Sequence, residues 1–215
     1  ELYDIEYEEV IKDQIHVNGN GLTMAETIIK LNELTGGEAV IVTDVGQHQM
    51  VACRYSKFNN SRSKVTSGGL GTMGFALPAA IGAKMGAPER EVIAIMGDGG
   101  LQMNIQELGT VLQTGVPVKI VVLNNQFLGM VRQWQELFFE SRYASTVMTN
   151  PDFVKIAEGY SIQSRRVTER KDLESAMKEM VESKNSYFLE VVVEMEENVF
   201  PMIPSGASVS DIRLK

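Results

Sequence analysis

The fold is decided by one stretch of sequence, Val92-Ile93-Ala94-Ile95-Met96-Gly97-Asp98-Gly99. Its apolar residues predict a buried strand, and the Gly-Asp-Gly triplet predicts a turn directly after that strand. A second apolar run, from Val116 to Leu123, ends in Asn124-Asn125. Between the two runs, residues from Gln102 to Gln113 carry apolar side chains at helical spacing. The order of strand, glycine turn, helix and strand predicts one βαβ unit with parallel strands.

Two oxygen-bearing side chains, Asp98 and Asn125, follow these two strands. Because parallel strands end at the same edge of a sheet, we expect both side chains to lie there, where open α/β folds bind ligands. A carboxylate and an amide oxygen suit Mg2+, which commonly combines one or two carboxylates with phosphate oxygens. The helix after Gly99 would offer free N–H groups to an anion. Each short motif alone is typical of an ordinary turn, but their joint spacing favours a corner that binds a metal ion and a diphosphate.

The composition of the 215-residue chain indicates a globular domain and argues against some classes of binding partner. A hydrophobic content of 44% supports a real core, and a net charge of −8 without a basic cluster argues against nucleic acid. No apolar run is long enough to span a membrane. One cysteine and two histidines disfavour a zinc site, and the single thiol suits a reducing compartment. We therefore expect a cytoplasmic bacterial protein; because the chain does not begin with Met, a lost targeting segment and an organellar location stay open.

Strands and helices alternate along the chain, which predicts a three-layer α/β/α domain with a mainly parallel sheet. We divide the sequence into three parts. Residues 1–20 form a linker that leads into the domain, residues 21–195 form the domain itself, and residues 196–215 form a C-terminal tail.

Two local signals predict helix ends within this domain. Thr23-Met24-Ala25-Glu26 has the pattern of a capping box, and Gly36-Gly37 predicts the end of the same helix. Farther along, Asn150-Pro151 has the pattern of a helix cap followed by the first helical residue.

Four longer motifs are more specific than the Gly-Asp-Gly triplet. They are Val45-Gly46-Gln47-His48-Gln49-Met50, Thr66-Ser67-Gly68-Gly69-Leu70-Gly71-Thr72-Met73-Gly74, Gly129-Met130-Val131-Arg132-Gln133-Trp134 and Pro201-Met202-Ile203-Pro204-Ser205-Gly206. The triplet with its Asn-Asn pair resembles the signature of thiamine diphosphate (ThDP) enzymes. The four longer motifs resemble the catalytic subunit of acetohydroxyacid synthase, also called acetolactate synthase, and the resemblance extends from Gly36 to Gly206. It implies the ThDP-binding fold, in its diphosphate-binding domain.

The resemblance implies a site for ThDP and Mg2+. Asp98, Asn125 and the backbone carbonyl of Phe127 would bind the metal ion. His48 would contact the diphosphate, although by sequence alone a surface or helix-capping histidine is an equal alternative. The full set of cofactor-binding residues implied by the resemblance is Val45, Gly46, Gln47, His48, Gly71, Met73, Gly97, Asp98, Gly99, Gly100, Met103, Asn125, Phe127, Leu128, Gly129 and Met130.

The resemblance also implies how the cofactor is bent and where the substrate enters. Met73 would wedge between the two rings of the cofactor, and Met103 would line the same cavity. Met130, Trp134 and Ser205 would border the substrate and inhibitor channel, where herbicides of the sulfonylurea type would bind and which the tail closes. By sequence alone, Met73 and Trp134 are also compatible with ordinary core positions.

The reaction implied by the resemblance starts from pyruvate. Pyruvate is decarboxylated and joined to a second 2-ketoacid, pyruvate or 2-ketobutyrate, in the first common step of branched-chain amino-acid biosynthesis. The glutamate that activates the cofactor, and FAD, are expected on N-terminal and middle domains outside this sequence. We therefore assign no catalytic residue here, expect the chain alone to be inactive, and expect a homodimer with a possible small regulatory subunit.

Two alternatives stay open at this point. The chain is a domain of another ThDP enzyme, such as pyruvate oxidase or a 2-ketoacid decarboxylase, although the motif from Gly129 to Trp134 argues against that class. Otherwise it is a binding or assembly module without turnover.

Overall fold

A six-stranded parallel sheet runs through the part of the chain that the computed structural model describes, residues 2–15, 21–204 and 206–214. The strands are β1 (Val40–Thr43), β2 (Lys64–Thr66), β3 (Val92–Gly97), β4 (Lys119–Asn124), β5 (Gln163–Val167) and β6 (Tyr187–Val192). Across the sheet they follow the order β2-β1-β3-β4-β6-β5, and every neighbouring pair is parallel. The two strands predicted from the apolar runs, β3 and β4, are neighbours at its centre.

Helices cover both faces of the sheet. They are α1 (Leu2–Glu6), α2 (Lys12–Ile15), α3 (Met24–Thr35), α4 (Gln47–Tyr55), α5 (Ala76–Gly86), α6 (Asp98–Met103), α7 (Leu108–Thr114), α8 (Gly129–Phe138), α9 (Phe153–Gly159) and α10 (Arg170–Glu182). Buried residues of α3, α4 and α10 form one core cluster, and buried residues of α5, α7 and α9 form another. In the described ranges, no helix is both long enough and apolar enough to cross a membrane.

The two core clusters lie on opposite faces of the sheet, because successive side chains of a strand point to opposite sides. In β3, Ile93 and Ile95 belong to the first cluster, whereas Val92, Ala94 and Met96 belong to the second. A strand that is buried on both faces has a continuous apolar sequence. The predicted three-layer α/β/α fold with a parallel sheet is therefore confirmed.

Both predicted ends of α3 are also confirmed. The Thr23 hydroxyl accepts a hydrogen bond from the Glu26 backbone N–H (3.1 Å), and the Glu26 carboxylate accepts one from the Thr23 N–H (3.1 Å). At the other end, Gly36 adopts a left-handed conformation with φ of 59°, which glycine adopts without steric cost.

The sequence predicted one continuous helix from Gln102 to Gln113, and this prediction is wrong because the region forms two separate helices. The helix α6 already begins at Asp98 and ends at Met103, a 3-10 turn follows at Ile105–Glu107, and α7 then begins. The break lies at Asn104, whose φ of −139° leaves the helical region. Its side-chain amide donates to the Gly74 carbonyl (2.8 Å), and this tertiary contact accompanies the departure from helical geometry.

The helix predicted to open at Asn150-Pro151 begins later. Asp152 is the N-cap of α9, and its carboxylate accepts from the Lys155 N–H (3.4 Å). Asn150 is not the cap because its side chain bonds to Asp98 and Asn124 at the sheet edge.

The N-terminal segment contains helical structure that the sequence analysis did not predict. In residues 2–15, a short π-helix (Tyr7–Ile11) joins α1 to α2. Arg54 of α4 forms an ion pair with Glu6 (2.6 Å), and the Tyr55 hydroxyl contacts Gln14. The remainder of the predicted linker, residue 1 and residues 16–20, lies outside the described residues, and the division of the chain into three parts stays a prediction.

Candidate cofactor site

A cavity opens at the carboxyl ends of β1, β3 and β4, the edge where the sequence predicted a ligand. With the exception of Met103, every predicted cofactor-binding residue lines it. These are Val45, Gly46, Gln47, His48, Gly71, Met73, Gly97, Asp98, Gly99, Gly100, Asn125, Phe127, Leu128, Gly129 and Met130. Met24, Leu123 and Val131, which were not predicted, line it as well.

Asp98 is a buried carboxylate at the first residue of α6, only 1% exposed. Its Oδ2 accepts a hydrogen bond from Asn150 Nδ2 (2.6 Å). Burial raises the pKa of Asp98, and the hydrogen bonds from Asn150 and from the Gly99 backbone act in the opposite direction. Among the described residues, no Lys, Arg or His forms an ion pair with it. A buried carboxylate without a cationic partner is costly, so this position suits a bound cation.

Asn125 follows β4 and makes a local turn while it faces the cavity. Its Oδ1 accepts from the Phe127 N–H (3.2 Å), and its Nδ2 donates to Gln47 Oε1 (3.4 Å). Gln126, which lies between Asn125 and Phe127, has a φ of 58°. This conformation turns the chain so that Phe127 also lines the cavity. Asn125 can therefore form this turn and also bind a metal ion, because its amide oxygen has two lone pairs.

The donor set at this corner fits a hard cation. It combines the Asp98 carboxylate, the Asn125 amide oxygen and the Phe127 carbonyl, and oxygen donors of this kind suit Mg2+ when phosphate oxygens complete the shell. In the described part of the chain, no group of three or more His, Cys, Asp or Glu side chains is arranged to hold a metal. A single carboxylate balances only part of the charge of Mg2+. A bound diphosphate would supply the remaining negative charge.

Glycines bring the backbone close to the polar side chains of this corner. A Cβ atom on Gly100 would lie 2.0 Å from Asp44 Oδ2, and one on Gly129 would lie 2.1 Å from Gln47 Oε1. Both positions therefore exclude any larger side chain unless the polar group moves. Helix α8 begins at Gly129. The N-terminus of a helix presents free N–H groups that can bind an anion.

The backbone N–H of Leu128, one of the predicted cofactor-binding residues, is already engaged. The Leu128 N–H donates to the Thr146 carbonyl (2.8 Å), so this N–H is not free for a phosphate oxygen. Leu128 still lines the cavity. Its side chain packs over Gly99, where an added Cβ would lie 2.8 Å from the Leu128 Cδ2 atom.

His48 lies inside this site and forms a buried pair. Its Nε2 is 2.5 Å from Asp44 Oδ1, and the other carboxylate oxygen accepts from the Gly74 N–H (3.0 Å). Because both side chains are buried, the alternative of a surface histidine is wrong. Asp44 was not predicted as a site residue, although it directly follows β1 just as Asp98 follows β3.

Comparison with known proteins identifies the family. The family described as "Thiamine pyrophosphate enzyme, C-terminal TPP binding domain" matches residues 44–191. This chain belongs to that family. Thiamine pyrophosphate is another name for ThDP, and the match contains both strand-end motifs of the cavity.

Relatives of this ThDP-binding domain include acetolactate synthases. It is 46% identical over 202 residues to acetolactate synthase 2, chloroplastic, of Nicotiana tabacum, covering 90% of this chain and 30% of that protein. It is 46% identical over 184 residues to the acetolactate synthase isozyme 2 large subunit of Escherichia coli (strain K12), covering 85% of this chain and 34% of that protein. The chain thus spans about a third of the length of these relatives, and the predicted resemblance is confirmed.

A solved structure shares the fold of this ThDP-binding domain. It is the ThDP-dependent 4-hydroxybenzoylformate decarboxylase of Rhodococcus jostii RHA1, with a TM-score of 0.77 and 27% sequence identity. The similarity covers 83% of this chain and 34% of that chain.

Met103 lies outside the cavity of this ThDP-binding domain, so the prediction that it lines the same cavity as Met73 is wrong for this cavity. Met103 ends α6 and is 57% exposed. Its Cβ lies against the backbone of Gly74, where an added Cβ would come within 2.7 Å. Met73 is at the cavity itself, with its terminal methyl group near Gly99.

The predicted channel residues are arranged along α8. Met130 lines the cavity, and Trp134 follows one turn later with 38% of its surface exposed. The Trp134 ring packs against Phe138, with centroids 4.9 Å apart. An ordinary core position for Trp134 is therefore excluded, and its channel role stays a prediction. Ser205, the third channel residue, lies outside the described residues.

Proposed function

We propose that this chain is the C-terminal cofactor domain of an acetolactate synthase. In that role it binds the diphosphate end of ThDP together with Mg2+. The observation that carries the proposal is the buried Asp98 carboxylate, which forms an ion pair with no Lys, Arg or His of the described residues and lies beside Asn125 at the edge of a parallel sheet. The intact enzyme decarboxylates pyruvate and joins the two-carbon unit to pyruvate or 2-ketobutyrate, as the first common step of branched-chain amino-acid biosynthesis.

The names of the relatives support this reaction over that of other ThDP enzymes. Proteins named acetolactate synthase are 46% identical to the chain over most of its length. The structurally similar decarboxylase is 27% identical. This difference favours the synthase over a 2-ketoacid decarboxylase.

The cofactor supplies the carbanion chemistry, and the protein supplies binding and orientation. Asp98, Asn125 and the Phe127 carbonyl would hold the metal ion, and the N–H groups at Gly100 and Gly129 would hold phosphate oxygens. The Gly99 N–H donates to Asp98 instead. Met73 would support the bent shape of the cofactor. In this proposal the substrate passes Met130 and Trp134.

The acid that activates the cofactor is proposed to lie outside this chain. Asp98 is the only carboxylate among the residues that line the cavity, and it is committed to the metal ion. An N-terminal domain of a neighbouring subunit would supply the activating glutamate, and a middle domain would bind FAD. The chain alone would therefore form no acetolactate.

Assembly and location follow from the same proposal. Leu70 is 94% exposed, and Val131 and Trp134 are exposed near the cavity. We propose that these apolar groups contact a second copy of the chain in a homodimer; a small regulatory subunit is a further proposed partner. The proposed location is the cytoplasm of a bacterium, and relatives named as chloroplastic make an organelle the alternative.

The test is product analysis with the intact protein. Incubation with pyruvate should yield acetolactate only when both ThDP and Mg2+ are present. Acetaldehyde without acetolactate would favour a decarboxylase, and absence of ThDP binding would favour a module without turnover. Robust acetolactate formation by the 215-residue chain alone would show that the activating acid lies within it.

A further inference from the structure

Asn150 makes three side-chain hydrogen bonds at the metal corner. Its Nδ2 donates to Asp98 Oδ2 (2.6 Å) and to Asn124 Oδ1 (3.0 Å), and its Oδ1 accepts from Gln102 Nε2 (2.9 Å). The orientation of the amide is chemically determined, because an ionised carboxylate only accepts hydrogen bonds. One side chain thus joins the end of β3, the end of β4 and the helix α6.

The segment that carries Asn150 is itself paired with the loop after β4. The Leu128 N–H donates to the Thr146 carbonyl (2.8 Å), and the Met148 N–H donates to the Gln126 carbonyl (2.9 Å). These two bonds flank an antiparallel bridge between Phe127 and Val147. Residues 146–148 therefore hold the loop that contains the Phe127 carbonyl.

The second partner of Asn150 is anchored in the sheet. Asn124 Nδ2 donates to Glu190 Oε1 (2.8 Å), and Arg166 Nε donates to Glu190 Oε2 (2.6 Å). The Glu190 side chain is buried on β6, and Arg166 lies on β5. The amide of Asn150 is thus connected to a fixed point two strands away, rather than to a mobile surface group.

We infer that Asn150 is a positioning residue that holds the Asp98 carboxylate in the orientation required for a divalent cation. We assign it no ligand role, because the group that it turns toward Asp98 is its NH2 group and not its oxygen. Hydrogen bonds to a metal-binding carboxylate orient it, and their loss commonly weakens metal binding. This inference rests on the proposed function of the site, because the cation is the one that accompanies ThDP.

The experiment compares Asn150→Leu and Asn150→Ala in the intact protein. Both substitutions remove the donor to Asp98, and they differ in the space that they leave. The matched control is Asn59→Leu. Asn59 also donates twice, to the Gly36 carbonyl (2.7 Å) and to Glu38 Oε1 (2.8 Å), but it lies before β2 at the amino ends of the strands.

Two quantities are measured for each variant. The first is the Mg2+ concentration that gives half-maximal ThDP binding, determined by calorimetry. The second is the melting temperature without Mg2+ and ThDP. We expect the Mg2+ requirement of both Asn150 variants to rise by about 10- to 100-fold, with ThDP binding recovered at high Mg2+. Asn59→Leu should keep the wild-type Mg2+ requirement.

The outcomes separate this inference from the proposed function. A wild-type protein that does not bind ThDP with Mg2+ would overturn the proposed function and the inference together. Wild-type binding with an unchanged Mg2+ requirement in the Asn150 variants would overturn the inference alone. Failure of both Asn150 variants to fold, while Asn59→Leu folds, would assign Asn150 to the fold and likewise overturn a positioning role.

Discussion

The imidazole Nε2 of His48 lies 2.5 Å from Oδ1 of Asp44, and both side chains are buried beside the cofactor cavity. The second oxygen of Asp44 accepts from the Gly74 N–H (3.0 Å). Asp44 follows β1, His48 belongs to the first turn of α4, and Gly74 precedes α5. One carboxylate thus joins three segments that border the cavity.

Replacement of Asp44 should destabilise the protein. Asp44→Ala leaves the His48 ring and the Gly74 N–H without their buried partner, and an unsatisfied buried polar group costs about 1–3 kcal/mol. The free energy of unfolding from urea titration, measured without ligands, checks this. A loss below about 0.5 kcal/mol, the range of ordinary surface substitutions, would contradict a structural role for the pair.

Replacement of Asp98 should abolish cofactor binding without unfolding the protein. Asp98→Ala removes the only carboxylate of the proposed metal site. Loss of a mere orienting contact already weakens metal binding by about 10- to 100-fold, so loss of the ligand should exceed that range. Calorimetric titration of the intact variant with ThDP and Mg2+ measures the effect, and unchanged ThDP affinity would rule out the metal assignment.

A single methyl group at Gly129 should disturb the same corner. In Gly129→Ala the new Cβ would lie 2.1 Å from Gln47 Oε1 and 2.8 Å from Asn125 Nδ2. Either side chain must move, so we expect weaker ThDP binding. Gly82→Ala in α5 is the matched control, because in the described part of the chain no atom outside its chain neighbours and the surrounding helix backbone lies within 4 Å of its added Cβ. The control should raise stability by about 0.5–1 kcal/mol and leave ThDP affinity unchanged; equal affinities in both variants would contradict the prediction.

The central strands could be predicted from the sequence, whereas the edge strands could not. β3 and β4 are buried on both faces, so their apolar runs are continuous. β2 (Lys64–Thr66) and β5 (Gln163–Val167) lie at the two edges of the sheet and carry exposed or partly exposed polar residues. A short edge strand without an apolar run has no distinctive pattern, because its place is determined by pairing with a distant neighbour.

Some residues of the site could likewise be predicted from the sequence, and others could not. Asp98 and Asn125 could be predicted because each directly follows an identifiable strand. Asn150 could not, because its contacts with Asp98 and Asn124 join residues that are 52 and 26 positions apart in the sequence. The Asn-Pro pattern instead predicted a helix cap. Local patterns identify turns and caps, but they do not indicate when a polar side chain is drawn into a tertiary contact.

Glu197 should make the stability of the protein depend on pH. Its Oε2 accepts from the Met24 N–H (3.1 Å) at the start of α3. Burial raises the pKa of Glu197 above its ordinary value of 4.5; the Met24 hydrogen bond opposes this shift, and the nearby Glu26 and Glu194 carboxylates reinforce it. The folded state therefore holds this proton more tightly than the unfolded state, and stability falls as pH rises from 4.5 through the raised pKa.

The variant Glu197→Gln tests whether stability falls with rising pH because of this carboxyl group. Glutamine keeps an oxygen for the Met24 N–H but carries no charge to desolvate. Without ligands, the variant should melt at a higher temperature than the wild type at pH 7, and the difference should disappear below pH 4.5, where the wild-type carboxyl is protonated in both states. A wild type that is more stable than the variant at pH 7 would show that the ionised carboxylate is favourable in the folded protein.

Trp134 provides a test of the proposed channel. The ring is 38% exposed and packs on Phe138, one helical turn beyond Met130 at the cavity. Trp134→Leu keeps an apolar side chain, so the loss of stability should remain below the roughly 3–5 kcal/mol that truncation of a buried tryptophan costs. ThDP affinity of the intact protein should change little, because the ring does not line the cavity. Binding of an aromatic inhibitor of the sulfonylurea class should weaken strongly, since the flat surface for stacking is lost. Melting curves and an inhibitor titration on the same variant decide the matter, and a large loss of stability with unaltered inhibition would assign Trp134 to packing alone.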